Sequence, residues 1–154
     1  MNAITMLTED HREVERMLDE LEPTTERAIK TRAELFTRIK DALTVHEVIE
    51  EEIFYPALRD HPKAKDIVLE AYEEHNVVDS LLGELERMPV DAETWGAKAK
   101  VMIENLRHHI EEEEGEMFPA ARRVFDADEL TELGERMAAR RKSAERELAA
   151  AGSR

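Results

Sequence analysis

The stretch Leu43-Thr44-Val45-His46-Glu47-Val48-Ile49-Glu50-Glu51-Glu52-Ile53-Phe54-Tyr55-Pro56 (43–56) decides how this chain of 154 residues folds. His46 is followed four residues later by Glu50, and Pro56 comes six residues after that glutamate. The same order returns as His109, Glu113 and Pro119. In a helix, positions i and i+4 lie on one face a turn apart, so each pair projects an imidazole and a carboxylate together.

The flanking residues put these pairs on buried faces. Leu35, Ile39, Leu43, His46, Glu50, Ile53 and Ala57 form one stripe at steps of three and four. Ala99, Met102, Leu106, His109, Glu113, Met117 and Ala120 form another. Two further stripes carry one inward histidine each: Ile4, Leu7, His11, Val14, Leu18, Leu21 and Val68, Ala71, His75, Val78, Leu82, Leu85. Breaks at Pro23-Thr24-Thr25, Asp60-His61-Pro62 and Met88-Pro89-Val90 separate the four helices. The expected spans are 3–22 with Asn2 as N-cap, 25–59 with a kink at Pro56, 63–87, and 92–124 with Asp91 as N-cap. Asp126-Ala127-Asp128-Glu129 resembles a capping box opening a fifth helix to about 149.

The fold expected is all-α: an antiparallel four-helix bundle over 1–124, an additional C-terminal helix over 125–149, and a frayed tail over 150–154. Only 5 Gly and 5 Pro in the chain fit long helices.

The two halves repeat. EDHREVERMLDELE (9–22) aligns with EEHNVVDSLLGELE (73–86), and LTVHEVIEEEIFYPALR (43–59) with LRHHIEEEEGEMFPAAR (106–122). Two similar hairpins related by a pseudo-twofold axis bring His11, His46, Glu50, His75, His109 and Glu113 toward one centre. A buried carboxylate must neutralise, pair or bind a cation, and no Lys or Arg lies on the four inner stripes. The chain has no Cys, so a metal site must use nitrogen and oxygen ligands. Six such ligands exceed one tetrahedral zinc and suit two adjacent metals such as iron, manganese or zinc. No histidine has Glu three residues before it, which excludes the Glu-x-x-His pattern of ferritin-like bundles.

A formal net charge of -15 disfavours nucleic acid and anionic membranes as partners. The start of the chain lacks a basic segment followed by an apolar run, and no apolar run is long enough to span a bilayer. Cytoplasmic location and a monomer or weak homo-oligomer are the expectations.

His11, His46-x-x-x-Glu50, His75 and His109-x-x-x-Glu113, in that order, resemble the hemerythrin-like (HHE cation-binding) family over residues 1–124. The resemblance implies two iron ions, bridged by the glutamates and by an oxo or hydroxo group. It implies binding of dioxygen or a related small ligand (peroxide, NO) for sensing, storage or detoxification, or else catalase-like breakdown of hydrogen peroxide. One departure stands out. Oxygen-carrying members supply five histidines, two of them four apart on the third helix, whereas here His75 has Ala71 before it and Asp79 after it. Tyr55, Glu47, Asp79 or water are the candidates for the missing ligand. An ideal helix points Tyr55 away from His46, so its candidacy depends on the Pro56 kink. His108 is expected off the inner face and His61 in a turn. Glu111, Glu112, Glu114 and Glu116 are expected on a solvated face, and Phe54, Phe118 and Trp95 in packing.

Overall fold

The structure is a computed structural model that describes residues 1–152, and among them it is all helical with no strand. Helix α1 is Ala3–Leu21, and the Asn2 side chain accepts from Thr5 N at 2.8 Å, as its N-cap role requires. Helix α2 covers 29–59, α3 is Lys65–Glu86, α4 covers 93–124, and α5 is Ala127–Gly152. Short turns make α1/α2 and α3/α4 antiparallel hairpins, while α5 lies along α1 and α2.

Several boundaries differ from the sequence reading, and three have a structural reason or consequence. Helix α2 starts at Ile29 rather than Thr25, because Thr24 is occupied elsewhere. The buried Arg32 guanidinium donates to Thr24 O at 2.9 Å, to Thr24 Oγ1 at 3.1 Å and to Val90 O at 2.8 Å. It lies 5.1 Å from the Trp95 ring centroid, so one cation ties both turns at this end of the bundle. Helix α4 is capped by Ala92 without a side-chain bond, so Asp91 does not serve. The fifth helix runs to Gly152, so 150–152 are helical rather than frayed; 153 and 154 lie outside the described residues.

The capping box is formed. Glu129 N donates to Asp126 Oδ1 at 2.8 Å, and Asp126 N to Glu129 Oε1 at 3.0 Å. Leu130, Leu133 and Met137 then bury against the α1 end of the core. Gly134 is required there, because a Cβ would collide with the Met1 carbonyl.

Apolar packing falls into two clusters. One holds Ile4, Leu7, Phe54, Leu58, Phe118 and Met137; the other holds Leu18, Ile39, Leu85, Trp95 and Met102. Between them lies a layer of buried polar side chains: His11, His46, Glu50, His75, His109 and Glu113.

The prolines do more than kink. Glu50–Phe54 and Glu113–Met117 are single π-helical turns, each opening on the inward glutamate and ending just before Tyr55-Pro56 or Phe118-Pro119. Proline has no N–H, and its ring crowds the carbonyl four residues back, so the widened turn relieves both. Tyr55 N–H reaches Glu50 O and Phe118 N–H reaches Glu113 O, five residues back. The extra residue rotates everything beyond it by about 100° relative to an α-helix. Tyr55 and Phe118 therefore stand one turn above the glutamates, facing inward.

Candidate metal centre

All six residues marked by the sequence meet in this layer. His11, His46, Glu50 and Glu113 offer ligand atoms within 4.8 Å of one another, and Glu50, His75 and His109 form an overlapping group. Glu50 belongs to both groups. Glu113 Oε1 likewise touches both halves, 3.0 Å from His11 Nε2 and 3.3 Å from His109 Nε2. Two half-sites, His11 with His46 and His75 with His109, thus face each other across two glutamates.

Each imidazole points Nε2 inward and gives Nδ1 to a carboxylate. His11 Nδ1 donates to Glu114 at 2.7 Å, and its repeat mate His75 to Glu51 at 2.8 Å. His46 Nδ1 donates to Asp10 at 2.9 Å, and its mate His109 to Glu74 at 2.7 Å. Every one of these bonds crosses between helices. Such carboxylates fix the ring and raise its basicity toward a cation. The sequence reading missed Asp10, Glu51 and Glu74 and set Glu114 on a solvated face. Glu114 is corrected to a support of His11, also paired with Arg12, and Glu112 to a partner of His108 and Glu74. The signal was present: an acid follows each inward glutamate directly, and an acid precedes His11 and His75.

Tyr55 lies inside the site, fully buried. Its O–H donates to Glu113 Oε2 at 2.8 Å and lies 3.2 Å from His75 Nε2. Phe118, its repeat mate, stacks on His11 with centroids 5.7 Å apart. The halves are therefore unequal: one ends in a phenol, the other in a phenyl. Glu47 sits at the edge of the layer, its Oε1 3.6 Å from His75 Nδ1. Asp79 is exposed and reaches the site through its hydrogen bond to Glu47. His108 is outside, paired with Glu112 at 2.9 Å, and His61 is in the α2–α3 turn against Phe125.

The electrostatics are those of a site short of positive charge. Burial disfavours an imidazolium at His46, but Glu50 and Asp10 outweigh it and push its pKa up to about 10. His75 is pushed up to about 10 against its burial by Glu50 and Glu51, and His109 is raised by Glu113. Burial would raise Glu113, but His109 and its hydrogen bonds hold it well below the usual carboxylate range. Without metal, protons fill the gap, and incompletely. Glu50 Oε1, Glu50 Oε2 and His46 Nε2 are buried with no hydrogen-bond partner, although His46 Nε2 lies 3.1 Å from Glu50 Oε1. Orphaned atoms at the point of convergence, with nitrogen and oxygen donors all round, fit a bound metal pair.

A pH dependence follows. His46 and His75 have higher pKa values folded than their ordinary 6.5, so they stabilise the metal-free fold below that value. This contribution is lost as pH rises toward about 10. Thermal melts of chelator-treated protein should show a falling midpoint across that window. Metal uptake displaces the same protons and should strengthen with rising pH.

A cavity of about 20 Å³ adjoins the four histidines on the side away from Tyr55, walled by Val14, Leu43, Val78, Leu106 and Ile110 and by Glu47. It has room for about one water-sized molecule.

Comparison with known proteins agrees with this geometry. Rv2633c of Mycobacterium tuberculosis (strain H37Rv), an uncharacterized protein, is 36% identical over 107 residues, covering 69% of this chain and 65% of its own length. Mb2666c of Mycobacterium bovis, also uncharacterized, matches to the same extent. The chain thus spans under two thirds of these relatives. A DNA nickase of Nostoc is 25% identical over 84% of this chain but only 36% of its own length. The crystal structure of a hemerythrin HHE cation-binding domain-containing protein from Mycobacterium kansasii, an Rv2633c homolog, superposes with a TM-score of 0.82 at 30% identity. That alignment covers 94% of this chain and 88% of the other. The family model "Hemerythrin HHE cation binding domain" matches residues 2–121, and the chain belongs to that family.

Proposed function

We propose that the buried cluster holds two iron ions and that the protein turns over hydrogen peroxide in a catalase-like reaction, two peroxides giving two waters and one dioxygen. Iron would supply the site for peroxide and the electrons exchanged with it. His11 and His46 would hold one ion, and His75 and His109 the other. Glu50 and Glu113 would span the pair, and Tyr55 would complete the His75 half. The observation that carries this reading is the Tyr55 hydroxyl, 2.8 Å from Glu113 Oε2 and 3.2 Å from His75 Nε2. It stands on the half that lacks a fifth histidine, and a phenolate favours ferric iron over the reduced state that oxygen carriage needs.

The chain's own residues have defined tasks. The carboxylates of Asp10, Glu51, Glu74 and Glu114 orient the four rings. Burial first, then the hydrogen bond to Asp79, pushes the Glu47 carboxyl up to about 9, so the part of the cavity wall it forms is uncharged near neutral pH. Apolar walls limit water in the cavity. Those walls also support a second reading, reversible binding of dioxygen or NO. Duplex nucleic acid is not proposed as a partner, given the net charge of -15.

An oxygen electrode separates the readings. Ferric protein given hydrogen peroxide should evolve dioxygen, and reduced protein given air should oxidise without an oxygenated form that reverses under vacuum. A reversible oxygenated spectrum with no oxygen evolution would establish the binding reading instead.

A further inference from the structure

The residues that line the cavity beside the histidines are buried except Asp10 and Glu47, which are half-buried, so a ligand from solvent must pass one of these side chains to reach it. One such side chain is Glu47, which lines the cavity and also an open groove of about 430 Å³ between α2 and α3. A second groove, of about 220 Å³ against α5, meets the cavity at Asp10 and Val14. That side is fastened: Asp10 accepts from His46 Nδ1 at 2.9 Å and from Arg141 at 2.7 Å. Glu47 is held more loosely. It bonds the exposed Asp79, while its Oε1 is buried with no hydrogen-bond partner. A side chain with three rotatable bonds, held by the exposed Asp79 and by a 3.6 Å ion pair to His75 Nδ1, can swing toward the groove without breaking the helix.

The repeat makes the same point. The position equivalent to Glu47 is Ile110, which also lines the cavity. The bundle thus closes one of two equivalent corners with an apolar plug and the other with a carboxyl group. A carboxyl can pass hydrogen bonds to a polar ligand as it moves, whereas isoleucine offers none.

We propose that Glu47 is the gate of the site: a water-sized, hydrogen-bonding ligand of the peroxide class passes from the α2–α3 groove to the cavity by displacing this side chain. The proposal rests on the metal-centre reading above. It makes Glu47 an access residue, neither a metal ligand nor the ligand's final contact.

Azide is the probe, its binding to the ferric protein followed by stopped-flow absorbance, with metal content measured on each sample. A gate changes the rates of binding and release by the same factor and leaves their ratio alone. Glu47→Leu, which plugs the corner as Ile110 does, should slow both rates about tenfold at unchanged Kd, and Glu47→Ala should speed both. Ala42→Leu, in the second groove, should alter neither. Unchanged rates in both Glu47 variants at normal metal content would overturn the gate alone. So would a shift in Kd, or loss of metal, in Glu47→Leu and Glu47→Ala, since either gives Glu47 a different role. Slowing by Ala42→Leu would move the route to the other groove and overturn it too. Wild-type protein without bound metal would overturn the metal-centre reading and the gate with it.

Discussion

Glu113→Ala is expected to lose both metals. Glu113 meets His11 Nε2, His109 Nε2 and the Tyr55 hydroxyl, and so links both half-sites and the phenol. In the proposed di-iron site its removal would take a ligand from each metal position at once and leave Glu50 alone to hold the pair. Metal affinity should fall by more than about 100-fold, beyond the cost of losing a mere supporting carboxylate. The fold should weaken as well. The raised pKa of His109 depends on Glu113, and removing one partner of a buried ion pair costs about 3–5 kcal/mol. Elemental analysis and urea denaturation read the two effects separately. Retention of both metals with only a stability loss would make Glu113 a structural residue and contradict the proposed ligand set.

Tyr55→Phe is the second large effect, and it makes the His75 half resemble the half that ends in Phe118. The ring still fits, so the helix and its π-turn should survive. Loss of the donor to Glu113 Oε2 should cost about 1–3 kcal/mol in metal-free protein. The His11/His46 position should keep its metal, while the other binds about 10–100-fold more weakly. Peroxide breakdown should fall about tenfold or more, and the visible charge-transfer band expected of an iron–phenolate should vanish. Wild-type activity and an unchanged spectrum in this variant would remove Tyr55 from the reaction.

Much of this was legible in residue order. A histidine or glutamate at a core position of a regular stripe is a local signal, and its recurrence in both halves identified the six converging side chains. Asn2 and the Asp126/Glu129 box announced their helix starts because capping is also local. What was hidden depends on non-local or cumulative geometry. Tyr55 was legible as a candidate but not its placement: it is nine residues from His46, about half a turn away on an ideal helix, and only the inserted residue of the π-turn brings it in. Pro56 and Pro119 signalled a disturbance but not its form. The four supporting carboxylates each serve a histidine on another helix, so no spacing along one helix could reveal them. Thr25 looked like a helix start until Arg32, a cation buried at the bundle end, took the Thr24 carbonyl and hydroxyl.

The unequal halves are the physical core of the account. Repeat mates agree at His11/His75, His46/His109, Glu50/Glu113 and Glu51/Glu114, and they differ at Tyr55/Phe118 and Glu47/Ile110. The shared positions build the cluster. The differing ones give it a phenol on one side and a polar corner on the other, and the proposed peroxide chemistry draws on both.

The direct test of the central claim is the metal content of purified protein, grown in iron-rich medium and desalted, measured by elemental analysis beside His46→Ala and His109→Ala. The account predicts two irons per chain in wild type and loss of iron in each variant. Wild-type protein free of metal, or variants that keep the full complement, would contradict it.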